Sequence, residues 1–108
     1  FLTKEISKFR IFNDEKEKMN LSIKDINGSI LVISQFTLCG DWKKGRRPSF
    51  VRAAPPDKGE QLYDKFIDHL SKEEIHVESG EFGATMSVSL INEGPATFVF
   101  DSKIYDNH

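Results

Sequence analysis

The spacing of apolar residues predicts helices at two places in the chain. Leu2, Ile6 and Phe9 recur at helical spacing, which predicts an amphipathic helix that is already under way at the first residue. A longer helix is predicted to open at Pro55-Pro56-Asp57, because proline and aspartate suit the first turn of a helix, and to end near the sequence SKEE. Its predicted buried face comprises Leu62, Phe66 and Leu70, with Tyr63 and Ile67 beside them.

Strands are predicted between and after these helices. A short strand over residues 21–26 runs into Asn27-Gly28, the strongest hairpin signal in the chain, so residues 29–38 are its predicted return strand. Residues 30–33 are apolar on both faces, which predicts a central strand covered on both sides. Further strands are predicted at residues 75–78, 86–90 and 97–100. Together these elements predict an α/β protein, with helices packed on a sheet of mostly antiparallel strands.

Length and composition limit what the chain can be. A chain of 108 residues suits one domain, here predicted to span residues 1–108. The net charge of −2 argues against a protein that coats nucleic acid non-specifically. The single cysteine, Cys39, excludes an internal disulfide, and we recognise neither a membrane span nor a signal peptide, so a cytoplasmic protein is predicted. Because the amphipathic pattern begins abruptly and without methionine, we expect N-terminal residues to be missing.

A basic segment follows the predicted return strand, with five cations within ten positions: Lys43, Lys44, Arg46, Arg47 and Arg52. Its glycines, Gly40 and Gly45, have the spacing of a phosphate-binding P-loop. That loop needs Lys and then Ser or Thr after its second glycine, and Pro48 would obstruct the helix that should follow, so we reject it. A solvated charged loop is one interpretation. RNA or another phosphate-bearing partner is an equal alternative, because Trp42 and Phe50 interleave with the cations.

Two polar segments are candidates for binding a substrate. Ser34, Gln35 and Thr37 stand at the tip of the apolar strand, where each alone is a simple strand cap. Together they can orient a substrate, and backbone N–H groups there can bind a developing oxyanion. The loop NEGPAT, residues 92–97, is either a plain turn or, with a cis proline, a rigid loop that presents carbonyl oxygens at fixed positions.

The histidines and the cysteine do not form a recognisable catalytic or metal-binding set. His69 falls in the helix pattern, His76 in a strand and His108 at the terminus, and none is spaced with Cys39 as a metal site would be. No metal or other cofactor is predicted. A Cys39–His pair stays open as a minor alternative to Cys39 as a small buried hydrophobe.

Several segments, taken in order, resemble the D-aminoacyl-tRNA deacylases (D-tyrosyl-tRNA deacylases) over about residues 9–101. These segments are SQFTL, KKGRRPSF, APP, LYDKF and GEFGATMSVSLINEGPATF. The resemblance implies a layered α/β domain that works as a homodimer in translation quality control. It implies hydrolysis of the ester between a D-amino acid, or glycine, and the 3′-terminal adenosine of tRNA. Relatives carry further residues before the position matching Phe9, so their first strands are expected to be lacking here.

The resemblance also assigns roles to residues of this chain. The family's catalytic segment falls on Ser34, Gln35, Phe36 and Thr37, and its Gly-cisPro motif, which reaches the neighbouring subunit's pocket and excludes L side chains, falls on Gly94-Pro95. Glu93 and Ala96 replace the usual aspartate and valine of that motif. The supporting pocket residues would be Met86, Asn92 and Thr97. The tRNA-binding residues would be Lys43, Lys44, Arg46, Arg47 and Arg52, following the phosphates of the acceptor stem.

The chemistry at Thr37 has two interpretations. Thr37 can be a nucleophile, although no His or Lys is placed by sequence to activate it. We prefer the second, in which backbone N–H groups at Phe36 and Thr37 bind the oxyanion, water attacks and the ribose 2′-OH relays a proton. Two other functions stay open. One is a related deacylase that edits L-amino acids, against which Ser34-Gln35 argues; the other is a non-catalytic RNA-binding module that uses residues 43–52.

Overall fold

The computed structural model describes residues 1–105 as a mixed α/β protein with two small sheets. The elements are α1 (Leu2–Lys8), β1 (Phe12–Asn13), β2 (Met19–Leu21), β3 (Ser29–Val32), a 3₁₀ helix (Phe36–Cys39), α2 (Pro56–Lys72), β4 (His76–Ser79) and α3 (Ser102–Tyr105). His108 lies outside the described residues. Across residues 1–105, no helix is both long and apolar enough to cross a membrane.

Each of the two sheets has two strands. β1 and β2 are antiparallel, with Phe12 opposite Leu21. β3 and β4 are parallel and in register from the Ser29–His76 pair to the Val32–Ser79 pair. A parallel pair needs a long crossover connection, and α2 lies within it. The expectation of one sheet of mostly antiparallel strands is therefore wrong for residues 1–105: one strand pair is antiparallel and the other is parallel.

The hairpin predicted at Asn27-Gly28 is absent from this part of the structure. Asn27 does adopt a positive φ of 54°, as a turn residue does. However, the N–H of Ser22 donates to Asp25 Oδ2 at 2.8 Å, and the N–H of Asp25 donates to Ser22 Oγ at 3.2 Å. This reciprocal pair starts a short coiled turn. Residues 23–27 therefore form a turn where the first strand of the hairpin was expected. β3 pairs with β4 and not with β2.

The core lies between α2 and the parallel strands. Val32, Leu70 and Ile75 are buried, and around them pack Ile23, Ile30, Tyr63, Phe66, Ile67 and Val77. The prediction for α2 was correct in its bounds and for most of its buried face, but Leu62 is 55% exposed. Leu62 precedes Tyr63, so it is rotated by about 100° around the helix from the buried face. Its side chain lies near the residues of α1. Leu31 is also 55% exposed, so β3 is covered on one face only and the prediction of a doubly covered strand is wrong.

The first helix differs from its predicted apolar stripe. α1 ends at Lys8, and Phe9 follows it in an extended conformation. Thr3 and Ser7 are the buried residues of the helix, and Ser7 Oγ donates to the carbonyl of Lys4 at 2.8 Å, which satisfies its buried hydroxyl. The ring of Phe9 instead meets Phe98 and Phe100 edge-on, at centroid distances of 4.9 and 5.0 Å. Phe9 therefore anchors the C-terminal segment rather than the helix.

Residues 86–100 form no strand or helix within the described chain, so the strands predicted at 86–90 and 97–100 are wrong. Alternation of Met86, Val88 and Leu90 with serines is typical of a strand with one buried face. A strand also needs a neighbour for its backbone hydrogen bonds, and no strand of residues 1–105 pairs with this segment. Its apolar side chains are consequently exposed, with Ile91 at 94%.

Candidate functional site

A pocket of about 330 Å³ lies where β3 and β4 end. The carboxyl ends of parallel strands meet at the same edge of a sheet, so the segments that follow them form facing walls. Ser34, Gln35 and Phe36 contribute one wall from the segment after β3. The other walls come from the segments after β4 and before α2: Phe82, Gly83, Ala84 and Met86, and Ala53, Ala54 and Pro56.

Tyr63 on α2 joins the two walls of the pocket. Its hydroxyl donates to the carbonyl of Gly80 at 2.6 Å and lies 3.3 Å from the carbonyl oxygen of Val32. The N–H of Gly80 also donates to the carbonyl of Val32, at 3.2 Å. The Tyr63 ring contacts the ring of Phe82 at a centroid distance of 5.7 Å. Tyr63 was predicted from the sequence only as part of a buried helix face, and no local signal indicates its hydrogen bonds.

Two glycines allow the wall after β4 to lie close to the rest of the protein. A Cβ on Gly59, in the first turn of α2, would lie 3.1 Å from Cζ of Phe82. A Cβ on Gly80 would lie 2.8 Å from the sulfur of Met86. Phe82 and Met86 therefore occupy space that side chains at these glycines would take. A glycine inside a helix pattern, as at Gly59, is a sequence signal that could have indicated such a close approach.

The structure brings four of the predicted site residues to the pocket and leaves Thr37 beside it. Ser34, Gln35, Phe36 and Met86 line the pocket. Thr37 is exposed, belongs to the 3₁₀ helix after Gln35 and is not part of the lining. The carbonyl of Thr37 accepts a hydrogen bond from the N–H of Gly40 at 3.0 Å, which closes the 3₁₀ helix.

The NEGPAT loop is exposed and does not contribute to this pocket. The Gly94-Pro95 peptide bond is cis, as the resemblance implied, and Gly94 has a φ of 120°. Asn92 and Thr97 are likewise exposed and outside the lining. The loop and the pocket, which the resemblance joins in one site, are separate in the protomer.

The basic segment is a hairpin-like loop that is closed at its base. The N–H of Asp41 donates to the carbonyl of Ser49 at 2.7 Å, and the N–H of Ser49 returns the bond at 2.8 Å. Among the described residues, none of the ion pairs involves the five predicted tRNA-binding cations, which are all exposed: Lys43, Lys44, Arg46, Arg47 and Arg52. We call residues 41–49 the basic hairpin. It joins the pocket through Phe50, whose ring meets that of Phe36 at 4.9 Å.

The pocket lining has polar groups but no ionisable side chain. Its side-chain polar atoms are the hydroxyl of Ser34 and the amide of Gln35. His76 pairs instead with Glu78, at 2.9 Å between Nε2 and Oε1 on the exposed side of β4. Over residues 1–105, no cluster of His, Cys, Asp or Glu could hold a metal ion. The half-buried Cys39 ends the 3₁₀ helix and lies outside the lining.

Comparison with known proteins gives consistent results. The family profile described as D-Tyr-tRNA(Tyr) deacylase matches residues 1–101. D-aminoacyl-tRNA deacylase of Thermotoga petrophila is 55% identical over 94% of this chain and 68% of its own length. The proteins of the same name from Thermosipho africanus and Bacillus thuringiensis are 53% and 54% identical, over 95% of this chain in both cases and 69% and 70% of their own lengths.

One solved structure extends the comparison to three dimensions. The c-Myc DNA Unwinding Element Binding Protein superposes with a TM-score of 0.77 at 36% sequence identity. The match covers 88% of this chain and 65% of the solved chain. The present chain therefore spans slightly less than two thirds of that protein and slightly more than two thirds of the curated relatives.

Proposed function

Because the chain belongs to the D-Tyr-tRNA(Tyr) deacylase family, a family of hydrolases that act on an ester bond, we propose that it hydrolyses D-aminoacyl-tRNA. The bond cleaved is the ester between a D-amino acid, or glycine, and the 3′-terminal adenosine. One observation carries the proposal: the family's Ser34-Gln35-Phe36 segment lines the pocket at the ends of β3 and β4. The site residues in the following paragraphs are part of the same proposal.

The proposed catalysis uses backbone groups and the substrate's own hydroxyl. The pocket lining holds no side chain that could act as a general base. Backbone N–H groups at Phe36 and Thr37, at the start of the 3₁₀ helix, would stabilise the oxyanion. Water would attack the ester carbon and give a proton to the ribose 2′ oxygen, while the 2′-OH gives its own proton to the departing 3′ oxygen. The products are the free amino acid and tRNA with a 3′-OH. The exposed position of the Thr37 side chain outside the lining argues against the alternative of a Thr37 nucleophile.

Rejection of L-amino acids would come from Gly94-Pro95 of a second copy. Carbonyl groups of this loop would occupy the space where an L side chain must project, while glycine would pass. Two features of the protomer support a homodimer that brings the loop to the neighbouring pocket. The loop is exposed and lies outside its own chain's pocket, and the nearby Leu90 and Ile91 are 69% and 94% exposed. Asn92, Thr97 and Met86 would support the pocket walls.

Recognition of tRNA would rest on the cations in and next to the basic hairpin. Five exposed positive charges that form no ion pair within residues 1–105 suit a polyanion, and binding should weaken as salt rises. A role in removing D-amino acids from tRNA places the protein with translation quality control in the cytoplasm. The same cations favour one alternative, a non-catalytic RNA-binding module, since they would bind RNA whether or not the pocket works.

The experiment measures hydrolysis of D-tyrosyl-tRNA and of L-tyrosyl-tRNA by the wild-type chain, together with binding of the uncharged tRNA. Cleavage of the D ester with the L ester spared is the expected result. Ser34→Ala should lower the rate while tRNA binding stays unchanged, because Ser34 lies in the pocket and not in the hairpin. If tRNA binds but neither ester is cleaved, the RNA-binding module is the better description.

A further inference from the structure

Trp42 is the chain's single tryptophan, and its indole is 78% exposed at the start of the basic hairpin. Tryptophan is highly buried on average, so an indole in solvent, on a loop whose base is closed by hydrogen bonds, is open to a binding partner. Among the described residues, Phe9, Phe36 and Tyr63 each contact another aromatic ring. The Trp42 ring takes part in none of these contacts. With 78% of its surface in solvent, the ring is largely accessible to a ligand.

The backbone around Trp42 is held in place although the side chain is free. The preceding residue, Asp41, pairs with Ser49 through two backbone hydrogen bonds of 2.7 and 2.8 Å. The side chain of Asp41 spans Trp42, because its Oδ1 accepts the N–H of Lys43 at 2.9 Å. This double attachment presents the indole at a defined place and lowers the ordering cost of binding.

The surroundings of Trp42 indicate the chemistry of its partner. Four exposed cations follow it within five positions: Lys43, Lys44, Arg46 and Arg47. An aromatic ring among cations is the arrangement that binds single-stranded nucleic acid, since a base stacks on the ring while the cations follow the phosphates. Bases inside a duplex already stack on each other and offer no free face. The ring therefore selects an unpaired nucleotide, whereas the cations alone would accept paired and unpaired strands equally.

The hairpin is also joined to the pocket. Phe50 follows Ser49 directly, and its ring meets Phe36 of the pocket wall at 4.9 Å. A Cβ on Gly40, just before Asp41, would lie 3.1 Å from the Phe50 ring, so the base of the hairpin packs against the same aromatic pair. An RNA strand whose terminal nucleotide enters the pocket thus has the hairpin as a neighbouring surface.

We propose that Trp42 stacks on an unpaired nucleobase that precedes the terminal adenosine. The hairpin then recognises the single-stranded 3′ end of the substrate and not only the phosphates of its paired stem. This inference rests on the proposed function, which supplies an RNA end to the pocket.

The first test uses the intrinsic fluorescence of the protein, which Trp42 alone dominates. A single-stranded RNA oligonucleotide with a 3′-terminal adenosine should quench this emission, and a blunt RNA duplex of equal charge should quench it much less. Equal quenching by both at matched occupancy, or none by the single strand, would overturn the proposal.

The second test uses variants and labelled RNA followed by fluorescence polarisation, which does not depend on tryptophan. Trp42→Ala should weaken binding of the single strand about tenfold, as expected for one lost base stack, and leave duplex binding unchanged. Trp42→Phe should retain most of the affinity, whereas Trp42→Leu should behave like alanine because it lacks a π face. Equal affinities for the phenylalanine and leucine variants would also contradict stacking.

Failure of this inference can be told apart from failure of the proposed function. Lys44→Ala, which removes a charge two residues from the ring, should weaken single-strand and duplex binding alike. If Trp42 variants bind normally while wild type cleaves D-tyrosyl-tRNA, the stacking role is excluded and the deacylase remains. If wild type cleaves neither ester yet Trp42 variants lose single-strand affinity, the hairpin serves an RNA-binding module.

Discussion

The hydroxyl of Tyr63 lies 2.6 Å from the carbonyl oxygen of Gly80, so a side chain on α2 holds the strand end from which one pocket wall departs. The carbonyl of Val32, at the end of the neighbouring strand, lies 3.3 Å from the same hydroxyl. The two walls thus share one support. Changes at Tyr63 are therefore expected to affect both the stability of the protein and the shape of the pocket.

Tyr63→Phe removes this hydroxyl and keeps the ring against Phe82. The carbonyl of Gly80 then lacks its donor, so the free energy of unfolding should fall by about 1 kcal/mol. Chemical denaturation measures this change. Tyr63→Leu, which also removes the ring, should cost more. A phenylalanine variant as stable as wild type would mean that water replaces the hydrogen bond without loss.

Leu70 and Leu62 form a matched pair on α2, at 0% and 55% exposure. Leu70→Ala should lower the free energy of unfolding by about 2–5 kcal/mol, because it leaves a cavity beside Val32 and Ile75. Leu62→Ala should cost about 1 kcal/mol or less, since its side chain is mostly in solvent. Equal losses for the two variants in denaturant titrations would contradict the orientation of the helix.

The turn at Ser22 and Asp25 should respond to acid. The N–H of Ser22 is the main cause that holds the pKa of Asp25 below its ordinary value of 3.8. A carboxyl whose pKa is lower in the folded protein stabilises it above the unfolded pKa, and this contribution is lost as the pH falls through the folded pKa. The stability difference between wild type and Asp25→Asn should therefore be present at neutral pH and shrink below about pH 4.

The control for this acid effect is Asp64→Asn, which removes the same charge from an exposed position on α2. Thermal unfolding of the three proteins across this pH range provides the comparison. A gap between wild type and Asp25→Asn that persists unchanged in acid would show that the hydrogen bonds of the turn do not depend on ionisation.

Gly94→Ala tests the proposed filter for chirality. Gly94 has a φ of 120°, where a side chain is strained, and its Cβ would lie 3.3 Å from the nitrogen of Ala96. The loop should shift, and the ratio of D-ester to L-ester hydrolysis should fall by about tenfold, or about 1.4 kcal/mol of discrimination. Gly45→Ala is the matched control, because Gly45 has a φ of 144° in the basic hairpin. It should alter tRNA binding and leave chirality intact; equal loss of selectivity in both variants would argue against the filter.

A substitution at Ile91 tests the proposed homodimer. Ile91 is 94% exposed and lies just before the proposed chiral loop. Wild type should sediment as a dimer, and Ile91→Asp should shift it towards monomer, because a buried charge at an interface is costly. Val51→Asp introduces the same charge at a residue that is 87% exposed outside this segment, and it should remain dimeric. A monomeric wild type at micromolar concentration would remove the dimer from the proposed function.

Features that depend on residues close together in the sequence could be predicted. The bounds of α2 follow from Pro55-Pro56-Asp57 and from its apolar repeat, and both were correct apart from Leu62. The return strand predicted over residues 29–38 was correct only for residues 29–32, because β3 ends at Val32 and Phe36–Cys39 form a 3₁₀ helix. The pairing of β3 was not predictable in this way, because its partner is β4, far along the chain. Asn27-Gly28 favoured a neighbouring strand that the Ser22–Asp25 turn prevents.

The candidate site was predicted in part. The resemblance to deacylases indicated Ser34, Gln35, Phe36 and Met86, which the pocket brings together. Phe82 and Tyr63 were not indicated, since their roles depend on contacts between α2 and the end of β4 that no local pattern records. The alternation of apolar and polar residues at 86–90 indicates a strand, but this segment pairs with no other strand within residues 1–105.

The lining of rings, methyl groups, one hydroxyl and one amide has a consequence for control of the site. Such a surface keeps the same charge from acid to alkaline conditions, because none of its side chains gains or loses a proton. Under the proposed function, binding of RNA, rather than protonation of the lining, would turn the pocket from an inert cleft into a reactive one.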